Sequence, residues 1–253
     1  MATIGLVAAM AQESEALLRR VKGWKHITLG TFHGYQFNQS GWDCQLVQSG
    51  IGLKRATDAT RTLLAAKHPQ FLACFGIAGA VNADLQIGDV VVAHHTCLLE
   101  QGLSEQLQPL ARISDTAWQA ASQALQAYGA HLLSGTAITT RGSQAVKLQG
   151  KDLANPILEM ETFGVARVAA EKGIALLSIR SISDGPESPI PFDLDGMMDE
   201  QYNIRIGKIL AAILRQPKII FEFKHLVQNS RKASDHAAIA LLAILSQASP
   251  IAG

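Results

Sequence analysis

Short apolar runs alternate along the chain with segments whose apolar positions recur at helical spacing. The runs are typical of buried strands, and the helical repeats are typical of amphipathic helices. The runs predict strands over residues 3–9, 34–38, 44–48, 71–75, 90–95, 132–139 and 174–182. The repeats predict helices over residues 10–21, 54–67, 114–128, 162–172, 198–215 and 219–246. Strands and helices therefore take turns through most of the sequence.

This alternation predicts an α/β fold with a central mixed, largely parallel sheet. Helices are expected on both faces of that sheet, because each covers the apolar strands that flank it. No segment rich in serine, proline and glycine divides the chain, so we expect one domain over residues 1–253. Residues 196–253 are expected to be an extended C-terminal helical segment of this domain. The proline-rich residues 186–191 are expected to form a flap over a site.

Composition narrows the class of protein. A hydrophobic content of 48% with 17% charged residues excludes a disordered chain, and a net charge of +1 gives no reason to expect nucleic acid as a partner. Cys44, Cys74 and Cys97 lack the spacing of a metal site and are interpreted as reduced core thiols. His94 and His95 are adjacent on a strand and point to opposite faces, so no metal is predicted. No cofactor is expected.

The location of the protein is predicted from its apolar segments. The sequence begins with an apolar strand rather than the basic region of a signal peptide, and its longest apolar run, 237–245, is too short to span a bilayer. We therefore expect a cytoplasmic protein. Residues 204–236 contain seven basic and two acidic residues, a local charge of +5. This basic segment either binds a surface, such as the inner face of a membrane, or packs on the core or at a dimer contact.

Candidate chemistry is concentrated between residues 157 and 185. Glu159 and Glu161 follow a short apolar strand where it gives way to a helix, and Ser183 and Asp184 end the next strand. Ligands of α/β sheets bind at the carboxyl ends of strands, next to helix N-termini. These two acidic clusters therefore predict a site.

Three further features are predicted to lie at the same end of the sheet. Glu13 falls in the first turn of the first helix, where a carboxylate also stabilises the helix dipole. Residues 49–52 and 76–80 are small-residue turns, the first of them directly before a helix. Such turns expose backbone N–H groups that hold a phosphate or sugar hydroxyls, although they also simply close a strand–helix connection.

Six segments, taken together, resemble the 5′-methylthioadenosine/S-adenosylhomocysteine nucleosidases, in the family's order and with similar spacing. The segments are residues 4–13, 49–52, 76–79, 87–90, 159–161 and 180–184. That family belongs to the purine nucleoside phosphorylase superfamily. The resemblance implies a nucleoside phosphorylase-like fold and an enzyme that cleaves the N-glycosidic bond of an adenine nucleoside. It also implies a homodimer or a larger homo-oligomer.

The resemblance implies a role for each matching residue. Asp184 matches the acid that protonates adenine. An acid needs a raised pKa for this task. Ser183 matches the residue that positions the acid. Glu161 matches the carboxylate that binds the ribose hydroxyls, with Met160 against the sugar. Glu13 matches the residue that orients and deprotonates the attacking water.

The remaining candidates for substrate binding surround these residues. They are Glu159, Gly79, Ala78, Ile77, Ile51, Arg180 and Phe163. Arg180 is expected to orient the carboxylates, and Phe163 either stacks on the base or packs in the core. Cys74 and Ile77 offer no phosphate ligand, which favours water as the nucleophile. Arg55 or Arg141 can still supply a cation, so phosphorolysis stays an alternative, as does a nucleoside-binding protein without activity.

The C-terminal region departs from the nucleosidase pattern. Residues 195–196, 207–210 and 215–217 resemble hopanoid-associated phosphorylases, which are linked to removal of adenine from the membrane-lipid intermediate adenosylhopane. The substrate is therefore interpreted as either a soluble thioadenosine or an adenosylated lipid.

Overall fold

The computed structural model of the protein describes residues 2–100, 103–104, 107–140, 152–186 and 219–247. Its strands are β1 Ala2–Ala8, β2 Lys25–Leu29, β3 Phe32–Gln39, β4 Trp42–Gln48, β5 Phe71–Ala80, β6 Val90–Glu100, β7 Leu103–Ser104, β8 Gln108–Pro109, β9 Leu132–Thr139, β10 Pro156–Glu159 and β11 Ala175–Asp184. Its helices are α1 Ala11–Leu18, α2 Leu53–Lys67, α3 Asp115–Gln126, α4 Thr162–Glu171 and α5 Ile219–Leu245. The predicted helix 198–215 and most of the predicted flap lie outside the described residues.

One mixed sheet organises the described part of the chain. Its strand order is β10-β9-β6-β11-β5-β1-β4-β3-β2. β5 pairs in parallel with β1 and β11, whereas β11 with β6 and the β2-β3-β4 meander are antiparallel. β10 also pairs antiparallel with β5, so five strands, β5-β11-β6-β9-β10, close into a ring. The predicted α/β class with a mixed sheet is confirmed.

Helices cover both faces of the sheet, as predicted. On one face, Leu17 of α1, Leu125 of α3 and Leu241 of α5 belong to one buried cluster with Phe75. On the other face, α2 and α4 enclose a second cluster that includes Leu63. Strands flanked in this way have apolar runs, because both of their faces are buried. All three cysteines are buried free thiols, in agreement with their interpretation.

The described end of the basic segment packs on the core. Ala233 and His236 of that segment are buried, and so is Leu241, which follows it in α5. Asp235 of the same helix accepts hydrogen bonds from Arg19 (2.9 Å) and Arg20 (2.8 Å) near the end of α1. For residues 225–247 the packing interpretation is therefore correct. Among the described residues, no helix is both long and apolar enough to cross a bilayer.

This packing predicts a large loss of stability on truncating Leu241. Leu241→Ala removes a fully buried side chain and should lower the free energy of unfolding by about 2–5 kcal/mol. Arg231→Ala, at an exposed position of the same helix, should change it by less than about 0.5 kcal/mol. Urea titrations of the two variants measure the difference. Equal stabilities would contradict the packing of α5.

One predicted boundary is wrong and one strand was not predicted, each for a physical reason. The small residues after residue 75 predict the end of β5 in a turn, yet the strand continues through Ala80. The apolar pattern does not predict β2, because Lys25, His26 and Thr28 are exposed on an edge strand and leave no apolar run to detect.

Candidate active site

The second half of β5 gathers the acidic residues predicted from distant parts of the sequence. The Ile77 N–H donates to Glu13 Oε1 (2.9 Å), and the Ala78 carbonyl accepts from Ser183 Oγ (3.3 Å). Gly79 pairs in register with Asp184 of β11. Three successive residues of one strand thus contact the three residues predicted to be catalytic.

Glu13 is buried and held by three backbone N–H groups. Its Oε2 accepts from Ala9 (2.8 Å) and Met10 (2.9 Å), and its Oε1 accepts from Ile77. Burial raises the pKa of the carboxyl, while the charge of Arg180 and these hydrogen bonds oppose the rise. Because Met10 is the N-cap of α1, Glu13 stabilises the helix start as well as belonging to the site. The two interpretations of this residue are compatible.

Small residues in β5 allow the carboxylates to approach the strand. A Cβ at Gly76 would overlap Glu13 Oε1 and lie 3.0 Å from Arg180 Nη1. A Cβ at Gly79 would lie 2.6 Å from Asp184 Oδ2. The segment predicted as a turn is therefore an extended strand whose missing side chains make room for acidic groups.

A bulge at the end of β11 presents Asp184. Ile182 pairs with Ala78 and Asp184 with Gly79, so Ser183 is an extra residue in the strand. Bulges redirect the side chains that follow them and are frequent next to active sites. Ser183 Oγ donates to Asp184 Oδ1 at 2.7 Å, and Asp184 is partly exposed whereas Ser183 is buried.

Arg180 carries a buried positive charge among these carboxylates. Its Nη2 donates to Glu159 Oε2 at 2.7 Å, to Thr162 Oγ1 at 3.1 Å and to Cys74 Sγ at 3.2 Å. Its Nη1 lies 3.4 Å from Glu161 Oε2. The guanidinium therefore links two carboxylates of the 159–161 segment to β5.

Glu161 is a buried carboxyl that faces a glycine turn. Its Oε1 accepts from the Gly52 N–H at 2.9 Å. Burial raises its pKa to about 7, against the charge of Arg180, and the charges of Glu159 and Glu13 add to the rise. One N–H of the turn predicted to bind phosphate or sugar is thus already engaged by a side chain.

Glu159 differs from its prediction as a substrate-binding residue. Its Oε1 accepts from Thr139 Oγ1, and its Oε2 accepts from the Glu161 N–H (2.9 Å), the Thr162 N–H (2.7 Å) and Thr162 Oγ1 (2.8 Å). With Arg180 added, both oxygens are occupied within the protein. Glu159 stabilises the N-terminus of α4 rather than offering a free oxygen to a ligand.

The other residues predicted to bind substrate differ in how far their side chains are exposed. Phe163 in the first turn of α4 is fully buried, so its ring packs in the interior and the alternative of stacking on a base is wrong in this structure. Met160, Ile51 and Ile77 are half-buried and so retain accessible surface at the site. Arg141 lies outside the described residues.

Sequence reasoning missed two participants. Thr139 ends β9 and also accepts from the Phe163 N–H at 2.9 Å, and Thr162 opens α4. Both stand at the ends of elements, which is the signal that could have identified them. β10 and β11 are consecutive strands along the described chain but are not neighbours in the sheet, and β5 connects their acidic ends.

Comparison with known proteins places this geometry in a family. Residues 3–215 match the family model described as the phosphorylase superfamily. The chain therefore belongs to the phosphorylase superfamily. A superfamily relative, the 5′-methylthioadenosine/S-adenosylhomocysteine nucleosidase of Tolumonas auensis, is 28% identical over 208 residues, which are 75% of this chain and 90% of that protein.

Solved structures of other proteins share the fold. The 5′-methylthioadenosine/S-adenosylhomocysteine nucleosidase of Colwellia psychrerythraea in complex with adenine aligns with a TM-score of 0.72 at 20% identity, over 98% of this chain and 96% of that one. Futalosine hydrolase of Helicobacter pylori gives 0.69 at 20% identity, over 96% of both chains. The predicted superfamily is confirmed. Because the first alignment includes nearly all of α5, this helix does not set the chain apart from the nucleosidases.

Proposed function

We propose that the protein hydrolyses the N-glycosidic bond of an adenine nucleoside and releases adenine. The observation that carries this proposal is the convergence of Glu13, Glu161 and Asp184 on residues 76–79. Asp184 and Glu13 contact that strand directly, and Arg180 Nη1 lies beside both Gly76 and Glu161. The relatives named as methylthioadenosine and adenosylhomocysteine nucleosidases support a thioadenosine as substrate.

The chemistry divides among the three carboxyl groups. Asp184 donates a proton to N7 of adenine as the bond from C1′ to N9 breaks, so the base takes the electron pair and leaves neutral. Ser183 holds the Asp184 carboxyl through its 2.7 Å hydrogen bond. The ribose becomes oxocarbenium-like, and the negative charge of Glu161, which accepts hydrogen bonds from the ribose hydroxyls, stabilises it. Water adds to C1′, and Glu13 accepts its proton.

The position of Glu13 favours water over phosphate. Backbone N–H groups that converge without an acceptor form an anion site, but those of Ala9, Met10 and Ile77 already bind the Glu13 carboxylate. A resident negative charge repels a second anion at this place. Arg55, which folds over Gly50, is the cation that a phosphorolytic alternative would use.

The substrate and the nucleophile are tested in one assay. Purified protein is incubated with 5′-methylthioadenosine, S-adenosylhomocysteine or adenosine, with and without phosphate. We expect adenine and the free sugar, which is a thioribose from the two thioadenosines, at a rate that phosphate does not raise. Formation of a sugar 1-phosphate would show that the reaction is phosphorolysis and not hydrolysis. Tight binding without adenine release would identify a nucleoside-binding protein. Preference for an adenosylated lipid in vesicles would support the lipid interpretation of the C-terminal region.

Assembly and domain structure are part of the proposal. Following the family resemblance, we propose a homodimer or larger homo-oligomer of one domain per chain. Light scattering measures the mass, and a single cooperative unfolding transition is expected from one domain.

A further inference from the structure

Arg180 interacts unequally with the carboxylates of Glu159 and Glu161. On one side, Nη2 is 2.7 Å from Glu159 Oε2, a distance typical of a strong charge-assisted hydrogen bond. On the other side, Nη1 is 3.4 Å from Glu161 Oε2. The two groups form an ion pair, but they are too far apart for a good hydrogen bond. Arg180 therefore interacts more strongly with Glu159 than with Glu161, although it is Glu161 that faces the site.

Glu159 is fixed in a way that preserves this inequality. Thr139 holds one of its oxygens, and the backbone N–H groups of Glu161 and Thr162 hold the other. All of these groups are buried, and the side chains of Glu159 and Arg180 are each 1% exposed. Water cannot screen the interaction there, so moving Arg180 towards Glu161 would break several buried hydrogen bonds together.

We propose that Glu159 is a positioning residue that holds Arg180 away from Glu161 and thereby sets the pH above which Glu161 is ionised. This inference deepens the proposed function and rests on it, because it assigns the ribose-binding role to Glu161. Glu159 itself touches neither the substrate nor the reacting atoms. Its effect on the reaction passes through Arg180.

The groups around these carboxyls are consistent with such control. Glu161 experiences burial, the attraction of Arg180 and the repulsion of Glu159 and Glu13. The charge of Glu159 also acts on the Cys74 and Cys97 thiols, and burial raises the pKa of both, that of Cys74 to about 12, so they remain neutral. Neutralising Glu159 removes one repulsion and frees Arg180 to approach Glu161. Both changes lower the pKa of Glu161.

The test is Glu159→Gln, read as a pH profile. The wild-type kcat/KM for methylthioadenosine should rise with pH through about 7, because Glu161 must be ionised to accept from the ribose hydroxyls. In Glu159→Gln this rising limb should move to lower pH by about one unit or more. Glu159→Asp keeps the charge but shortens the side chain, so its limb should fall between the two. If the glutamine variant does not fold, the aspartate variant decides.

A matched control is available at the far end of α4, the helix whose N-terminus Glu159 stabilises. Glu171→Gln is the same substitution at an exposed end of α4, where the carboxylate pairs with Arg61 at 3.2 Å. Its pH profile should equal that of the wild type. The proposal would be overturned by a Glu159 variant that loses activity equally at every pH while the rising limb of its kcat/KM profile stays in place. Glu159 would then only stabilise the N-terminus of α4.

A direct titration separates this inference from the proposed function. Glutamate labelled with ¹³C at the side-chain carboxyl allows Glu161 to be titrated by NMR in the free protein, with Glu161→Gln providing the assignment. This readout also separates Glu161 from Glu13, whose pKa is raised as well and which contributes to the same kinetic limb. The titration of Glu161 is compared between the wild type and Glu159→Gln. A lower pKa of Glu161 in the variant, in a protein without nucleosidase activity, would preserve the inference and reject the function. The same pKa of Glu161 in both proteins would overturn the inference even if the enzyme is active.

Discussion

Replacing Asp184 by asparagine should lower kcat/KM for adenine release about a thousand-fold, within the ~10²–10⁴ range that a positioned acid contributes. The amide preserves the shape of the side chain and can still accept the hydrogen bond from Ser183 Oγ. It cannot transfer a proton to N7, so adenine would have to leave as an anion. KM should change little, because an amide N–H still donates to the base in the ground state. Steady-state adenine release measures both constants.

A substrate with a different leaving group distinguishes acid catalysis from misfolding. Nitrophenolate leaves a nitrophenyl riboside as a stable anion and needs no proton, so Asp184→Asn should cleave this riboside nearly as fast as the wild type does. The bulge that carries Asp184 is formed by backbone pairing between β11 and β5, and the substitution should leave it intact. An equal loss on both substrates would contradict the role of Asp184 as the acid. A loss below tenfold on methylthioadenosine would contradict it as well.

Sequence patterning located the elements whose apolar runs are bounded by clear turn or cap residues. β9 has the predicted bounds 132–139, and α3 begins after Ser114, whose Oγ accepts from the Ala117 N–H as a cap. Such features depend on neighbouring residues, so a local pattern contains them. The same holds for the placing of Glu161 just after β10 and of Asp184 at the end of β11.

Features that depend on distant contacts could not be predicted. The small residues at 76–80 have the composition of a turn, and their pairing with the distant strands β10 and β11 explains why they stay in a strand. Glu159 and Glu161 are two residues apart and would share a strand face. The chain leaves the extended conformation at Glu161, however, and the two carboxylates separate towards α4 and Gly52. The pairing of β10 with β5 likewise joins segments far apart in sequence.

Gly76→Ala should disable the enzyme without altering any catalytic side chain. The added methyl group would overlap Glu13 Oε1, and Arg180 Nη1 at 3.0 Å closes the other side. Glu13 must then leave the Ile77 N–H, so the base is displaced from the water. We expect kcat/KM to fall about 10²–10³-fold, comparable to loss of a general base. The unpaired, partly buried N–H of Ile77 should also lower the free energy of unfolding, by about 1 kcal/mol.

Gly173→Ala is the matched control for this loss of stability. Gly173 follows α4 with a φ of +63°, and a Cβ at this position would have no atoms within 4 Å, so alanine strains the backbone without touching a neighbour. Its free energy of unfolding should fall by about 1 kcal/mol, as is usual for a side chain forced into the left-handed region, with unchanged kcat/KM. Equal activity losses in both glycine variants would mean that destabilisation, and not the position of Glu13, limits the enzyme.

A double-mutant cycle with Glu13→Ala tests whether Gly76 acts through Glu13. Removing the carboxylate vacates the space that the new methyl group would enter, so Gly76→Ala should cost almost nothing more in the Glu13→Ala background. Glu13→Ala alone also leaves the N–H groups of Ala9, Met10 and Ile77 without their acceptor. Formate should bind them and restore part of its activity, but not in the double variant, where the methyl group fills the place. Additive losses would show that Gly76 serves the fold independently of Glu13.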